Sequence, residues 1–165
     1  MFQLLKQLKL IEEVPPWWSQ CKVKPFYENE VAQFWWDSPE CYGTENEDES
    51  KRSRPDGKVE LVTEKKLFII EMTVPWFTNR AEKYQFKENK YIHIQQNLKF
   101  EHPEHDVDQI TLVMDSFGGY DKSLSENMKK VIVDKHVLRS IVTNMQKSVV
   151  SSAAHLSRRC KINFI

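Results

Sequence analysis

The run Leu67-Phe68-Ile69-Ile70-Glu71-Met72-Thr73-Val74 constrains this chain more than any other stretch. Apolar and β-branched residues, bounded by Glu64-Lys65-Lys66 and by Pro75, read as a buried strand. A carboxylate in the middle of such a strand is costly to bury unless something positive meets it. A second apolar run, Val59–Thr63, stands on the other side of the same polar turn, so the two form a hairpin. Beyond Pro75 the sequence becomes helical. There Lys83, Lys87 and Lys90 stand at i, i+4 and i+7, on one helix face together with Tyr91. Either that face meets the strand acids or it faces water, and the need of Glu71 for a cation favours the first.

A second acid sits at the opening of the hairpin. With a two-residue turn at Glu64-Lys65, position 58 lies opposite Glu71, and Asp56 then points to the same face. A three-residue turn reverses that parity. Asp56 before Gly57 also fits an ordinary turn, the commoner reading of the local sequence, and Lys87 alone reads as a solvated helix lysine. Together, two carboxylates and a lysine form a site for a hard divalent cation and a water.

The rest of the chain frames this segment. Met1–Glu13 is an amphipathic helix candidate that Pro15-Pro16 must break, and Trp17 and Trp18 are expected to dock the arm onto the domain. Val31, Phe34 and Trp35 recur at helical spacing and predict a helix over Tyr27–Trp36, carrying Glu28 and Glu30. Ser38–Ser53 reads as a polar, acidic loop holding at most a short strand near Cys41-Tyr42. Asn79 is a fair N-cap for a helix running to about Leu98. His102 and His105 lie in an acidic loop with zinc-like spacing but without further ligands, and are expected to be exposed. Gln109–Met114 is a strand ended by Asp115 and the Gly118-Gly119 turn, which matches no phosphate-binding loop. Ser123 to about Cys160 reads as helices broken near Asp134.

The 165 residues suffice for one domain with a real core, with an N-terminal arm over 1–26 and the main domain over 27–165. No apolar run is long enough to span a membrane. Three widely spaced cysteines, Cys21, Cys41 and Cys160, suggest a reduced, intracellular setting. Net charge is zero, which argues against a wholly basic nucleic-acid coat. The charges are nevertheless segregated, and the region after Asp134 is basic enough to hold phosphates. Solvated helix faces remain the alternative for each cluster taken singly.

Several short motifs occur in order: Trp35-Trp36-Asp37-Ser38-Pro39, Arg54-Pro55-Asp56, Glu71-Met72-Thr73, Lys87-Glu88-Asn89-Lys90-Tyr91, Val113-Met114-Asp115-Ser116-Phe117-Gly118-Gly119 and Met145-Gln146-Lys147-Ser148-Val149. In order and spacing they resemble the restriction-like endonuclease domain of non-long-terminal-repeat retrotransposons, a branch of the PD-(D/E)xK nucleases. The resemblance covers about residues 33 to 160. It implies an α/β fold with an αβββαβ core and additional C-terminal helices, which agrees with the order helix, strands, helix, strand, helices read from the residues and its expectation of helices on both faces of the sheet. In that branch the motif lysine has moved from the strand to the following helix, and here Thr73 stands where the strand lysine would.

The resemblance implies a metal-dependent DNA endonuclease of retrotransposon origin, nuclear in location. Asp56 and Glu71 would hold Mg²⁺ or Mn²⁺, with Lys87 as the catalytic lysine. Glu30, Thr73 and Lys90 are accessory candidates, and Arg54, Lys83, Arg158 and Arg159 are candidates for DNA contacts. The family's reverse transcriptase and zinc knuckle are not in this sequence, so the expectation is a detached or domesticated domain. Two alternatives stand beside it. One is a catalytically inactive domain that binds DNA or protein, and the other is a resolvase-type nuclease that recognises branched structures.

Overall fold

A computed structural model describes residues 1–16, 21–37 and 54–162, the last four of these by their backbone alone. Trp17 and Trp18, the acidic loop with Cys41-Tyr42, and the side chains of Arg159 and Cys160 lie outside the described residues.

The elements are α1 (Phe2–Gln7), β1 (Phe26–Glu28), β2 (Ala32–Trp36), β3 (Gly57–Leu61), β4 (Lys66–Thr73), a short 3₁₀ turn (Phe77–Asn79), α2 (Arg80–Lys90), α3 (Ile92–Glu101), β5 (Asp106–Val113), α4 (Lys122–Lys129) and α5 (Lys135–Ile162). The protein is a mixed α/β fold whose five strands form one sheet in the order β1-β2-β3-β4-β5. The first three pairings are antiparallel. β5 runs parallel to β4: Asp106 N donates to Lys65 O, and Met114 N to Thr73 O. The helical crossover α2–α3 makes that parallel pairing possible. In β4, Leu67, Phe68, Ile69 and Ile70 are all buried, so the strand is covered on both faces.

Three expectations are corrected. Tyr27–Trp36 is a hairpin, β1–β2, not a helix. The alternation of buried Ala32 and Phe34 with half-buried Gln33 and Trp35 is a period of two, which a short apolar run can mask as a helical pattern. Asn29 makes the turn: its Oδ1 accepts from Val31 N (2.9 Å) and Ala32 N (2.8 Å). Its Nδ2 donates to Leu8 O and Lys9 O, closing the end of α1. That helix is shorter than the expected Met1–Glu13. The helix after Pro75 is also two helices, broken at Tyr91, whose side chain is fully buried. The break near Asp134 is as expected, with Asp134 Oδ1 accepting from His136 N and Val137 N at the start of α5.

The chain divides into two compact units, each made of two stretches: Met1–Glu71 with Lys87–Ile110, and Met72–Phe86 with Thr111–Ile165. In the first, Leu67, Ile69 and Val107 of the sheet pack with Tyr91, Ile94 and Leu98, each buried side chain contributing roughly 1.5–3 kcal/mol. In the second, Asn127 fastens α4, donating to Thr111 O (3.0 Å) and Tyr84 Oη (3.3 Å). Leu124, Met128, Ile132, Leu138, Ile141 and Val142 form its apolar interior. No described helix is long and apolar enough to cross a membrane.

Candidate active site

The hairpin β3–β4 positions the two acids. Leu61 pairs with Lys66 and Gly57 with Ile70, so the connection is the four residues Val62–Lys65 rather than two. Lys65 takes a positive φ of 51° within it. The expected pairing of position 58 with Glu71 is therefore shifted by two residues: Lys58 pairs with Ile69. Parity survives because the shift is even. The ladder ends at Gly57–Ile70, and its register continued by one step would bring Asp56 opposite Glu71, on the same side of the sheet. Asp56 is half-buried, just ahead of β3, and its carbonyl accepts from Asp37 N (2.9 Å).

Glu71 is 2% exposed. Its Oε1 accepts from the Lys87 ammonium on α2, which is the cation its burial demands. Its Oε2 is buried with no hydrogen-bond partner among the described residues. Lys90, one turn on, has its ammonium pushed below the usual lysine value by burial and then by the like charge of Lys87, while Glu71 and Asp56 pull it up. Asp56, Glu71, Lys87 and Lys90 thus share one electrostatic neighbourhood. Lys90 Nζ also donates to Tyr91 Oη (3.1 Å), and that hydroxyl donates to Arg54 O (3.1 Å). The Tyr91 ring is thereby tied to the segment that carries Asp56.

Two further residues at the site were not singled out by the sequence. Gln109 of β5 is buried and donates through Nε2 to Lys87 O (3.0 Å), while its Oε1 accepts from Gln95 Nε2 (3.1 Å). The carbonyls of a helix's last turn have no partner within the helix, and Gln109 supplies one at the residue that reaches Glu71. Lys58, also buried, lies on the same strand face as Asp56 and stacks its ammonium over the Trp35 ring at 3.9 Å. Both carry a signal in retrospect: a polar residue inside an apolar strand, and a lysine two positions from an acid.

The other candidates are dispersed. Glu28 and Glu30 are exposed at the β1–β2 hairpin, not on a core helix, so Glu30 has no helix face from which to join the acids. Thr73 ends β4, half-buried. Arg54 is paired with Asp37 (2.5 Å). Lys83 lies 5.5 Å from the Phe86 ring, and Arg158 is exposed on α5. His105 is half-buried rather than exposed, with Nε2 3.1 Å from Glu60 Oε1.

Among the described residues no group of three or more His, Cys, Asp or Glu could hold a metal by itself. Two carboxylates completed by waters and substrate oxygens are, however, a common donor set for Mg²⁺. The partnerless Glu71 Oε2 fits such a set, with Asp56 near enough to act on the same Lys90 ammonium. Comparison of the sequence with family models and with curated proteins gives no match, and comparison with solved structures gives none either.

Proposed function

We propose that Asp56, Glu71 and Lys87 form the centre of a metal-dependent DNA endonuclease of the restriction-like class, of retrotransposon origin. The observation that carries this reading is the state of Glu71: a buried carboxylate with one oxygen on Lys87, the other without a partner, and Asp56 acting with it on Lys90. The chain path also supports it. A meander of β2, β3 and β4, followed by a helical crossover to a parallel β5, has the element order βββαβ, and that order is compatible with the core the resemblance implies. The counterpart of that core's first helix is not at Tyr27–Trp36.

Asp56 and Glu71 would hold the ion. Bound there, Mg²⁺ or Mn²⁺ supplies Lewis acidity to the phosphodiester and lowers the pKa of a coordinated water. Lys87 keeps a positive charge at the same carboxylate, where it offsets negative charge gathering on the phosphate oxygens during attack. Gln109 holds the helix turn from which Lys87 reaches, and Tyr91 with Lys90 holds the Arg54–Asp56 segment.

The inactive-domain reading has an observation of its own. Lys87 already neutralises Glu71, and Thr73 brings no ammonium to the strand. Nicking of supercoiled plasmid in Mg²⁺ separates the readings. The expected result is relaxed circles from the wild type and none from Asp56→Ala or Glu71→Gln. Binding without cleavage by the wild type favours the inactive domain, and cleavage confined to branched DNA favours a resolvase. Unchanged nicking by Glu71→Gln overturns the site.

A further inference from the structure

The second unit presents three large aromatic side chains to solvent side by side. Trp76 is 55% exposed, Phe77 51% and Phe117 63%. Ring centroids are 5.1 Å apart for Trp76–Phe117 and 5.8 Å for both Trp76–Phe77 and Phe77–Phe117, at interplanar angles of 53–62°. More than half of each side chain stays open to solvent although the rings touch one another.

The backbone beneath them is firmly held. Ser116 N donates to Pro75 O (3.0 Å), joining the two segments that carry the rings. The buried carboxylate of Asp115 accepts from Phe117 N and Gly119 N through Oδ1, and from Arg80 Nη1 through Oδ2 (2.7 Å). Gln146 Nε2 donates to Gly118 O (2.9 Å), where φ is +83°. A Cβ on Gly119 would run into Asp115 and Arg80, so the turn is closed tightly. A loop that merely avoided water would turn its rings inward, whereas this one is braced to keep them out.

The charge of the same unit indicates what meets them. Its two stretches hold eleven Lys and Arg against five Asp and Glu, a net charge of +6 within a chain whose total is zero. Exposed aromatic rings on a basic body are the chemistry that takes a nucleic-acid strand with unstacked bases: cations follow the phosphates and rings stack on bases of any sequence. A base-paired duplex hides its base faces and offers such rings nothing.

We propose that Trp76, Phe77 and Phe117 form a stacking platform for unpaired nucleobases, a binding site separate in function from the Asp56–Glu71–Lys87 centre. The platform does not require that centre to be catalytic. The test uses the full chain in EDTA, with anisotropy of a short fluorescein-labelled oligothymidylate and of a hairpin duplex of the same nucleotide number. Trp76→Ala/Phe117→Ala should weaken oligothymidylate binding roughly tenfold or more, and duplex binding by less than about twofold. Trp76→Phe, which keeps a ring in place, should recover most of the loss relative to Trp76→Ala. The readout uses neither metal nor cleavage, so a failure of the cleavage proposal leaves it untouched. Equal losses on both ligands, unchanged affinity in the double variant (as for a surface that docks a protein instead), or no oligothymidylate binding by the wild type would each overturn the platform.

Discussion

Glu71 and Lys87 form a partly buried ion pair, and the way it responds to the loss of one member distinguishes a metal centre from a structural bridge. Replacing Lys87 with Met strands a carboxylate that is almost fully buried, at a cost of roughly 3 kcal/mol. If Glu71 and Asp56 bind a divalent cation, Mg²⁺ or Mn²⁺ should raise the Tm of Lys87→Met by more than that of the wild type. A structural bridge would gain nothing from the metal, and differential scanning fluorimetry with and without MnCl₂ reads the difference. Kinetics separate Lys87 from its neighbours. Lys87→Ala should slow single-turnover nicking by about two orders of magnitude or more with little change in DNA affinity. Lys83→Ala and Lys90→Ala should chiefly weaken binding, and a dead Lys90→Ala beside a normal Lys87→Ala would move the role by one turn. The acid and its cation were legible in the sequence because an ionised group in an apolar strand demands a partner. Gln109 was not, because its partner is a backbone carbonyl freed by a helix break that periodicity did not reveal. His105 was misread for a related reason, since Glu60 lies 45 residues away.

At the scale of elements, Gln109 meets the last turn of α2, and the Asp115 carboxylate closes the turn after β5. Gln109→Leu leaves both Lys87 O and the Gln95 amide without their partner, so it should cost about 1–3 kcal/mol in urea unfolding. The turn has a pH signature. Burial alone would raise the Asp115 pKa, but the Gly119 and Phe117 amides and the Arg80 guanidinium outweigh it and hold the pKa below the ordinary value. A carboxylate depressed in the folded state stabilises fully above its unfolded pKa of about 3.9. That contribution is lost as pH falls through the folded value. Asp115→Asn should therefore lower the Tm at pH 6 while flattening its decline below about pH 4, as followed by circular dichroism. Strands β3, β4 and β5 were readable because long apolar runs with polar boundaries leave little choice. The β1–β2 hairpin was not, since Val31, Phe34 and Trp35 satisfy a helical period while Ala32 and Phe34 satisfy a strand period. The register was readable only in its parity, because the residues of the Val62–Lys65 loop do not announce how many of them leave the ladder.

Across the whole molecule the neutral total conceals two oppositely charged units, and nucleic-acid affinity should reside in the basic one. Neutralising Arg158, Arg159 and Lys161 should weaken duplex binding without sequence bias. The log–log salt slope should fall by about 0.9 for each phosphate that these cations no longer neutralise, as measured by anisotropy over a salt series. An unaltered slope would return these residues to a helix C-terminal role. The units also differ from ordinary neighbours in how the backbone builds them. The chain passes from one to the other after Glu71, after Phe86 and after Ile110. During synthesis, then, the first unit cannot close until Ile110 has left the ribosome. By that time Trp76 and Phe77 have already emerged on a stretch whose companions, from Thr111 onward, are still to leave it. The aromatic pair thus stands exposed without the rest of its unit at the moment the acidic unit is complete. For the same reason no single cut releases either unit in one piece, and any exchange of a unit between proteins would have to move both of its stretches together.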